Sequence, residues 1–369
     1  MLFKVVLAVV AMATAMHAAT AGAPADIHCG PGLAPMAGFT PAVVSRKRPP
    51  EYPSPSTMRN PGSWGGYKGR DAWSEAWVRA SFTVTTDGSV KDVVAVDALA
   101  LKPFVNATLR ALRSWHYKPA LRNGVPVEQY GHEVIVEYRL RNSPERAAVH
   151  KQFVERYTVA TGHIRDKKFA EAIEVLEDAL NLRTNRYEAA MASFSLAVAH
   201  AQMKNWRTAL FHIRHATVFD NTLLEPAVRP SALALRVALE VDDGNYKDAV
   251  CVHRDLIEAM PAGDPAAAKI MAQVDAALKN PAPLAVQGRL SANPEIEGPA
   301  SWMHPLLRAK FHFAQIQGEA KSFRLICTGT VFDAAVDAET EWNVPTAAGE
   351  CTLRVEGAPG AQFHLVEEW

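Results

Sequence analysis

Two histidines, His212 and His215, stand three residues apart in a stretch with helical periodicity. That spacing turns both imidazoles to one side of a helix, which is how helices present zinc ligands. No third ligand stands near them in sequence, and a pair of surface histidines is the simpler reading. His163 and His200 lie six residues before Phe169 and Trp206, matching places that read as packing. His132-Glu133 lacks the second histidine of an H-E-x-x-H zinc site. Gly62-Ser63-Trp64-Gly65-Gly66 is like a phosphate-cradling loop only in composition, because no Lys-Ser/Thr ends it and no strand precedes it. There is no G-x-S-x-G nucleophile elbow. No catalytic residue, metal ligand or cofactor is assigned, and the chain is expected not to be an enzyme.

The totals exclude further classes. Among 369 residues, 39 Lys+Arg balance 39 Asp+Glu, so the dense basic face of a nucleic-acid binder is missing. With 49 % hydrophobic and 21 % charged residues the chain can fill several cores. Four cysteines are too few for a disulfide-built scaffold. At the start, Lys4 precedes an apolar run from Val5 to Met16, followed by Ala19-Thr20-Ala21. This is the pattern of an export signal cut after Ala21, and the run is short of the ~20 residues that span a bilayer. An uncleaved anchor is the alternative.

Residues 22–63 are rich in Pro, Gly and Ser without a sustained period and read as a linker. Val78, Ala80, Phe82 and Val84 then alternate with polar residues, as in a half-buried strand. Asp87-Gly88 marks a hairpin, and Val90 to Val96 form the return strand. Leu101, Val105, Leu109 and Leu112 share a helix face, with Phe104 and Trp115 beside it. After the turn at Asn123-Gly124, Val134, Val136, Tyr138 and Leu140 alternate with Glu133, Ile135, Glu137 and Arg139. The order is β-β-α-β.

Tyr52-Pro53, the strand leading to Asp87-Gly88, Trp115-x-Tyr117-x-Pro119-Ala120 and Asn123-Gly124-x-Pro126-Val127 occur in that order, and together this segment resembles the C-terminal domain of TonB proteins. The resemblance covers roughly residues 46–141. Each of these residues also has a plain structural use: Trp115 and Tyr117 as core aromatics, Pro119 as a helix stop, Asn123-Gly124 as a turn. What the resemblance implies is recognition of an extended peptide. The last strand, with Val134, Val136, Tyr138 and Leu140, would offer its edge to a partner strand through main-chain hydrogen bonds. A solvated charged edge carrying Glu133, Glu137 and Arg139 is the alternative.

Between 143 and 280 the period is helical and a repeat appears. Phe169-x-x-Ala172, Trp206-x-x-Ala209 and Tyr246-x-x-Ala249 place their aromatics 37 and 40 residues apart. Ala179, Ala216 and Leu256 follow seven residues after each Ala, and Ala160, Ala197 and Val237 precede each aromatic by nine. The stretch resembles tetratricopeptide repeats, which implies paired helices with those six aromatic and Ala residues in their core and a groove for a peptide or protein. A mere spacer is the alternative. From Pro283 onward strand patterning returns, with Phe323, Leu325, Cys327 and Val331 on one face and Cys351, Leu353 and Val355 on another. A small β-sandwich with a Cys327–Cys351 bridge is expected, while Cys29 and Cys251 show no evident partner.

The expected fold is therefore α+β and multidomain: signal 1–21, linker 22–63, TonB-like domain 64–141 with its motif beginning near 46, helical repeats 143–280 and a β-rich domain 284–369. The expected role is that of a periplasmic protein that binds proteins or extended peptides, with outer-membrane receptors among the partners the resemblance implies. No long Pro/Lys/Glu spacer is present, which departs from energy-transducing TonB proteins. A TonB energy transducer anchored in the inner membrane, with its domains on the periplasmic side, and an envelope assembly scaffold are the alternatives. Membrane contact is expected only if the leader is retained.

Overall fold

A computed structural model describes residues 27, 29, 37–53, 75–139, 149–181, 185–219, 223–293 and 295–369. The expected leader, the Gly-rich stretch at 62–66 and Leu140 lie outside them. The chain forms two compact units. One joins Ala76–Tyr138 to Asn280–Trp369, with the described residues of His28–Asn60; the other is Arg139–Lys279 with Ile27 and Glu75.

In the first unit, strands β3 (Ala76–Val84) and β4 (Val90–Leu99) follow two short strands, β1 (Phe39–Thr40) and β2 (Val43–Arg46). Helix α1 (Lys102–Leu112), strands β5 (His116–Lys118), β6 (Ala120–Arg122) and β7 (Val125–Val127) and strand β8 (Gln129–Tyr138) complete this part. The main sheet is antiparallel in the order β4-β3-β8. Alternation brings Val78, Ala80, Phe82 and Val84 to one face, where they pack with Phe104, Val105 and Leu112 of α1. Burying each such large side chain contributes about 1.5–3 kcal/mol.

The stretch expected to be a linker is in part a folded strap. β1 pairs with β6 and β2 with β5. The Trp115 indole N–H donates to the Arg48 carbonyl at 2.7 Å, and the Lys47 ammonium lies 4.9 Å from the Trp115 ring centre. Tyr52 joins Phe104 and Tyr138 in an edge-to-face cluster, with centroids 5.2 and 6.1 Å away. Pairing of this kind uses main-chain groups, so a Pro- and Ser-rich composition does not reveal it.

The remainder of this unit comprises β9 (Leu284–Arg289), β10 (Ala300–Pro305), β11 (Lys310–Gln317), β12 (Ala320–Cys327), β13 (Val331–Ala335), β14 (Glu341–Asn343), β15 (Cys351–Gly357) and β16 (Gln362–Glu368). They form two four-stranded sheets, β10-β15-β12-β13 and β14-β11-β16-β9. One core serves both, with Phe311, Phe313 and Phe363 from one sheet against Phe323, Leu353 and Val355 from the other. Cys327 and Cys351 stand opposite each other on β12 and β15 and are joined by a disulfide. Cys29 and Cys251 are disulfide-bonded as well, although the sequence pattern gave neither a partner. A buried polar group closes the end of the sandwich: Glu367 accepts from His304 at 2.8 Å and from the Leu307 and Arg308 amides at 2.6 and 3.0 Å.

The second unit is helical, with α2 (Lys151–Arg165), α3 (Phe169–Asn181), α4 (Arg186–Gln202), α5 (Trp206–Ala216), α6 (Arg229–Asp242), α7 (Tyr246–Ala259) and α8 (Pro265–Lys279). Each helix packs on the next in sequence. The repeat positions 160, 197 and 237, then 172, 209 and 249, then 179, 216 and 256 are all buried. The three turns between paired helices also match. Lys167, Lys204 and Gly244, each two residues before the aromatic, have left-handed φ of 59°, 61° and 79°. One residue on, Lys168, Asn205 and Asn245 donate their amides to the carbonyls of His163, His200 and Glu240 at 2.8, 2.9 and 2.8 Å. Those bonds satisfy carbonyls that a helix end would otherwise leave open. The aromatics themselves differ. Phe169 and Tyr246 are half-buried against the cores, but Trp206 is 44 % exposed. As the first residue of α5, Trp206 projects at the helix end instead of lying between helices.

Candidate functional site

The β4-β3-β8 sheet has two outer edges, and their backbones differ. Along β4 the register to β3 slips twice, between Arg79 and Ala80 and between Ser81 and Thr83. In the second slip Asp92 has a φ of 54°, a conformation disfavoured for a residue with a Cβ. Bulges twist an edge and interrupt its row of amides and carbonyls. Along β8 the register slips once, near the start, where Tyr130 and Gly131 together oppose Thr83 and Gly131 has a φ of 61°. From His132 to Tyr138 β8 then pairs with β3 residue for residue, from Phe82 back to Ala76. No strand pairs with the other side of β8 among the described residues. β12 passes near β8 but pairs with β15 and β13 in its own sheet. Seven regular residues thus form the better template for an added strand.

The side chains of the edge divide by face. Val136 and Tyr138 are buried in the core and Val134 is packed against it, so these three expected partner-binding residues stabilise the domain itself. They hold the strand, and only its main chain is offered outward. Ile135, on the opposite face, is 37 % exposed. The Tyr138 hydroxyl donates to the Phe104 carbonyl at 3.1 Å and lies 2.9 Å from the Thr108 hydroxyl, and burial pushes its pKa up to about 12. His132 packs against the rings of Phe82 and Tyr117, at 5.0 and 5.2 Å, and burial lowers its pKa. At the bulged end Glu128 accepts from Lys91 at 2.6 Å and from Tyr130 at 2.9 Å; the Lys91 bond holds the carboxyl below its usual range. The Gln129 side chain accepts the Ala42 amide at 2.7 Å, tying the strap to the start of the strand.

The other motif residues hold this edge in place. Trp115 and Tyr117 are buried, Tyr52 belongs to the aromatic cluster at Tyr138, and Pro53 is buried beside it in sequence. Pro119, half-buried, separates β5 from β6. Asn123 and Gly124 form the exposed turn between β6 and β7, both with positive φ. Asp87 accepts from Thr85 and from the Ser89 hydroxyl and amide, and these bonds, that to Thr85 foremost, lower its pKa to about 2. Gly88, at φ 84°, gives its carbonyl to the Tyr117 amide at 2.8 Å, and a Cβ there would lie 2.0 Å from the Tyr117 carbonyl. The hairpin turn is therefore pressed onto β5. The strap and the β4 bulges have no local sequence signal, whereas Gly131 within the final strand pattern marks the bulge in β8.

In the helical unit, His212 and His215 are both buried, which corrects the reading of them as a surface pair, and Phe211 packs against both rings. Among the described residues no helix is long and apolar enough to cross a membrane. Residues 72–140 match the family model of the Gram-negative bacterial TonB protein C-terminal domain, which spans all of the β4-β3-β8 sheet. No curated protein matches the chain.

Proposed function

We propose that this is an exported, non-enzymatic, TonB-like protein of the cell envelope that binds an extended segment of a partner protein by adding it as a fourth strand beside β8. The observation that carries this reading is the contrast between the two sheet edges: β8 is regular over His132–Tyr138 and unpaired by any strand among the described residues, while β4 is bulged twice. Main-chain pairing gives affinity without demanding particular side chains, which suits an edge whose own apolar side chains face the core. The TonB match favours outer-membrane receptors as partners and a link to transport across the envelope. Disulfide-bonded cysteines favour the periplasm, where such bonds persist. The helical unit is read as tetratricopeptide-like, with its matching left-handed turns in support, and supplies a second surface for proteins or peptides.

Neighbouring residues of a strand aim their amide N–H groups at opposite edges, so proline scanning tests the reading. Of Ile135→Pro and Val136→Pro, one removes a donor facing β3 and the other a donor facing the partner. One variant is expected to keep the fold and lose the cross-linked partner. Retention of the partner by both variants refutes strand addition.

A further inference from the structure

We propose that His200 and His212 form an acid-sensitive latch between α4 and α5, closed while both imidazoles are neutral and opened when either takes up a proton. His200 lies in the last turn of α4 and His212 in the middle of α5. Their rings stack with centroids 5.5 Å apart and planes within 5° of parallel. Each residue is 9 % exposed. Both ring nitrogens of His200, and Nδ1 of His212, have no hydrogen-bond partner among the described groups. Two neutral rings pack well in such a place. A protonated ring adds a charge and an N–H donor, and no acceptor is in place for either.

The groups around the pair do not relieve that charge. His215, on α5 itself, is buried one turn away, with the Phe211 ring 4.2 Å from its own. No carboxylate among the described residues acts on either ring: burial is the one influence on His200, and burial, His215 and His200 are those on His212. On α6 the buried carboxylate Glu240 is already bound by Arg214 and Arg236. Burial accordingly lowers the pKa of both histidines, that of His212 to about 3 with His215 and His200 adding to the effect. A basic group with a lowered native pKa stabilises the closed state above its free value near 6.5 and loses that contribution as the pH falls. The latch is confined to the second helix pair, because the place of His200 is taken by the more exposed His163 in the first and by Glu240 in the third.

With a free pKa near 6.5 and a closed-state value near 3, His212 alone raises the open population roughly 25-fold between pH 7 and pH 5. Hydrogen exchange on the full chain reads this directly, after correction for the intrinsic pH dependence of exchange. Amides of Arg186–Gln202 and Trp206–Ala216 are expected to show that rise, while those of β3 and α1 do not. The double variant His200→Phe/His212→Phe keeps a ring stack without a titrating nitrogen, and its rise is expected to vanish. A flat profile in the natural chain, or an equal rise in the variant, overturns the proposal. If the variant does not fold, an NMR titration of His212 decides: a midpoint below pH 5 supports the latch, and one near 6.5 overturns it.

Discussion

Replacing Gly88 by alanine isolates the fit between the hairpin turn and β5. Two costs add at this position. The φ of 84° is left-handed, and a side chain there costs about 1–2 kcal/mol. The added Cβ would also stand 2.0 Å from the Tyr117 carbonyl oxygen, a backbone atom that cannot swing aside. Relief requires the turn to lift from β5, which sacrifices the 2.8 Å bond from the Tyr117 amide to the Gly88 carbonyl, about 1 kcal/mol, and disturbs Tyr117 in the core. Those two parts come to about 2–3 kcal/mol, with the disturbance of Tyr117 added on top. Gly124 is the control, because its φ of 82° is nearly the same but a Cβ there meets nothing within 4 Å. Gly124→Ala should cost only the conformational part, about 1–2 kcal/mol. The assay is hydrogen exchange of the β3 and β4 amides in denaturant, since two compact units need not unfold together. Equal destabilisation by the two variants would refute the argument that the turn is packed against β5.

Other perturbations test the remaining parts. Lys204→Gly relieves a left-handed φ of 61° and should stabilise α4 and α5 by about 1 kcal/mol, whereas Gly244→Lys should weaken α6 and α7 by a similar amount; thermal unfolding with exchange readout checks both. Glu240→Ala removes the buried carboxylate that binds Arg214 and Arg236; both arginines reach solvent and Arg214 keeps Asp248, so the cost in urea unfolding should be about 1–3 kcal/mol. Burial alone would raise the Glu240 pKa, but Arg214 and then Arg236 outweigh it and hold the group below its usual range. Its contribution is therefore full above the free-carboxylate value and is lost as acid protonates the native state, which a urea series at decreasing pH follows. Cys327→Ser with Cys351→Ser opens a loop of sequence separation 24 and should cost about 3.5 kcal/mol in the chain-entropy model, read as a lower midpoint for the sandwich under oxidising conditions.

Local periodicity carried much of the fold. The alternation from Val78 to Val84, the Asp87-Gly88 turn and the face of α1 are set by neighbours in sequence, and each stands where its pattern puts it. The Ala, Val and Leu repeat positions of the helical unit are likewise buried, even where Lys167 and Lys204 replace the glycine that their turns favour. What the pattern left dark depends on distant partners. Residues 37–53 look like a linker because their hydrogen bonds go to β5, β6 and Trp115, some seventy residues away. The C-terminal strands share one unit with the TonB-like strands although the whole helical unit intervenes, and no local spacing encodes that. Trp206 misled because an aromatic at a repeat position says nothing of which way the first turn of a helix faces. For the candidate site, alternation marked the strand and the family resemblance pointed to its edge, while the bulges that set the β4 edge apart are revealed only by pairing.

The most direct test of the central claim is to cross-link the protein in intact cells and compare Ile135→Pro, Val136→Pro and the packing control Val136→Ala. Strand addition at β8 predicts that Val136→Ala keeps its cross-linked partner and that a proline variant whose sheet remains folded by circular dichroism and hydrogen exchange loses it. Undiminished cross-linking by both folded proline variants would contradict the account and move the binding surface elsewhere in the molecule.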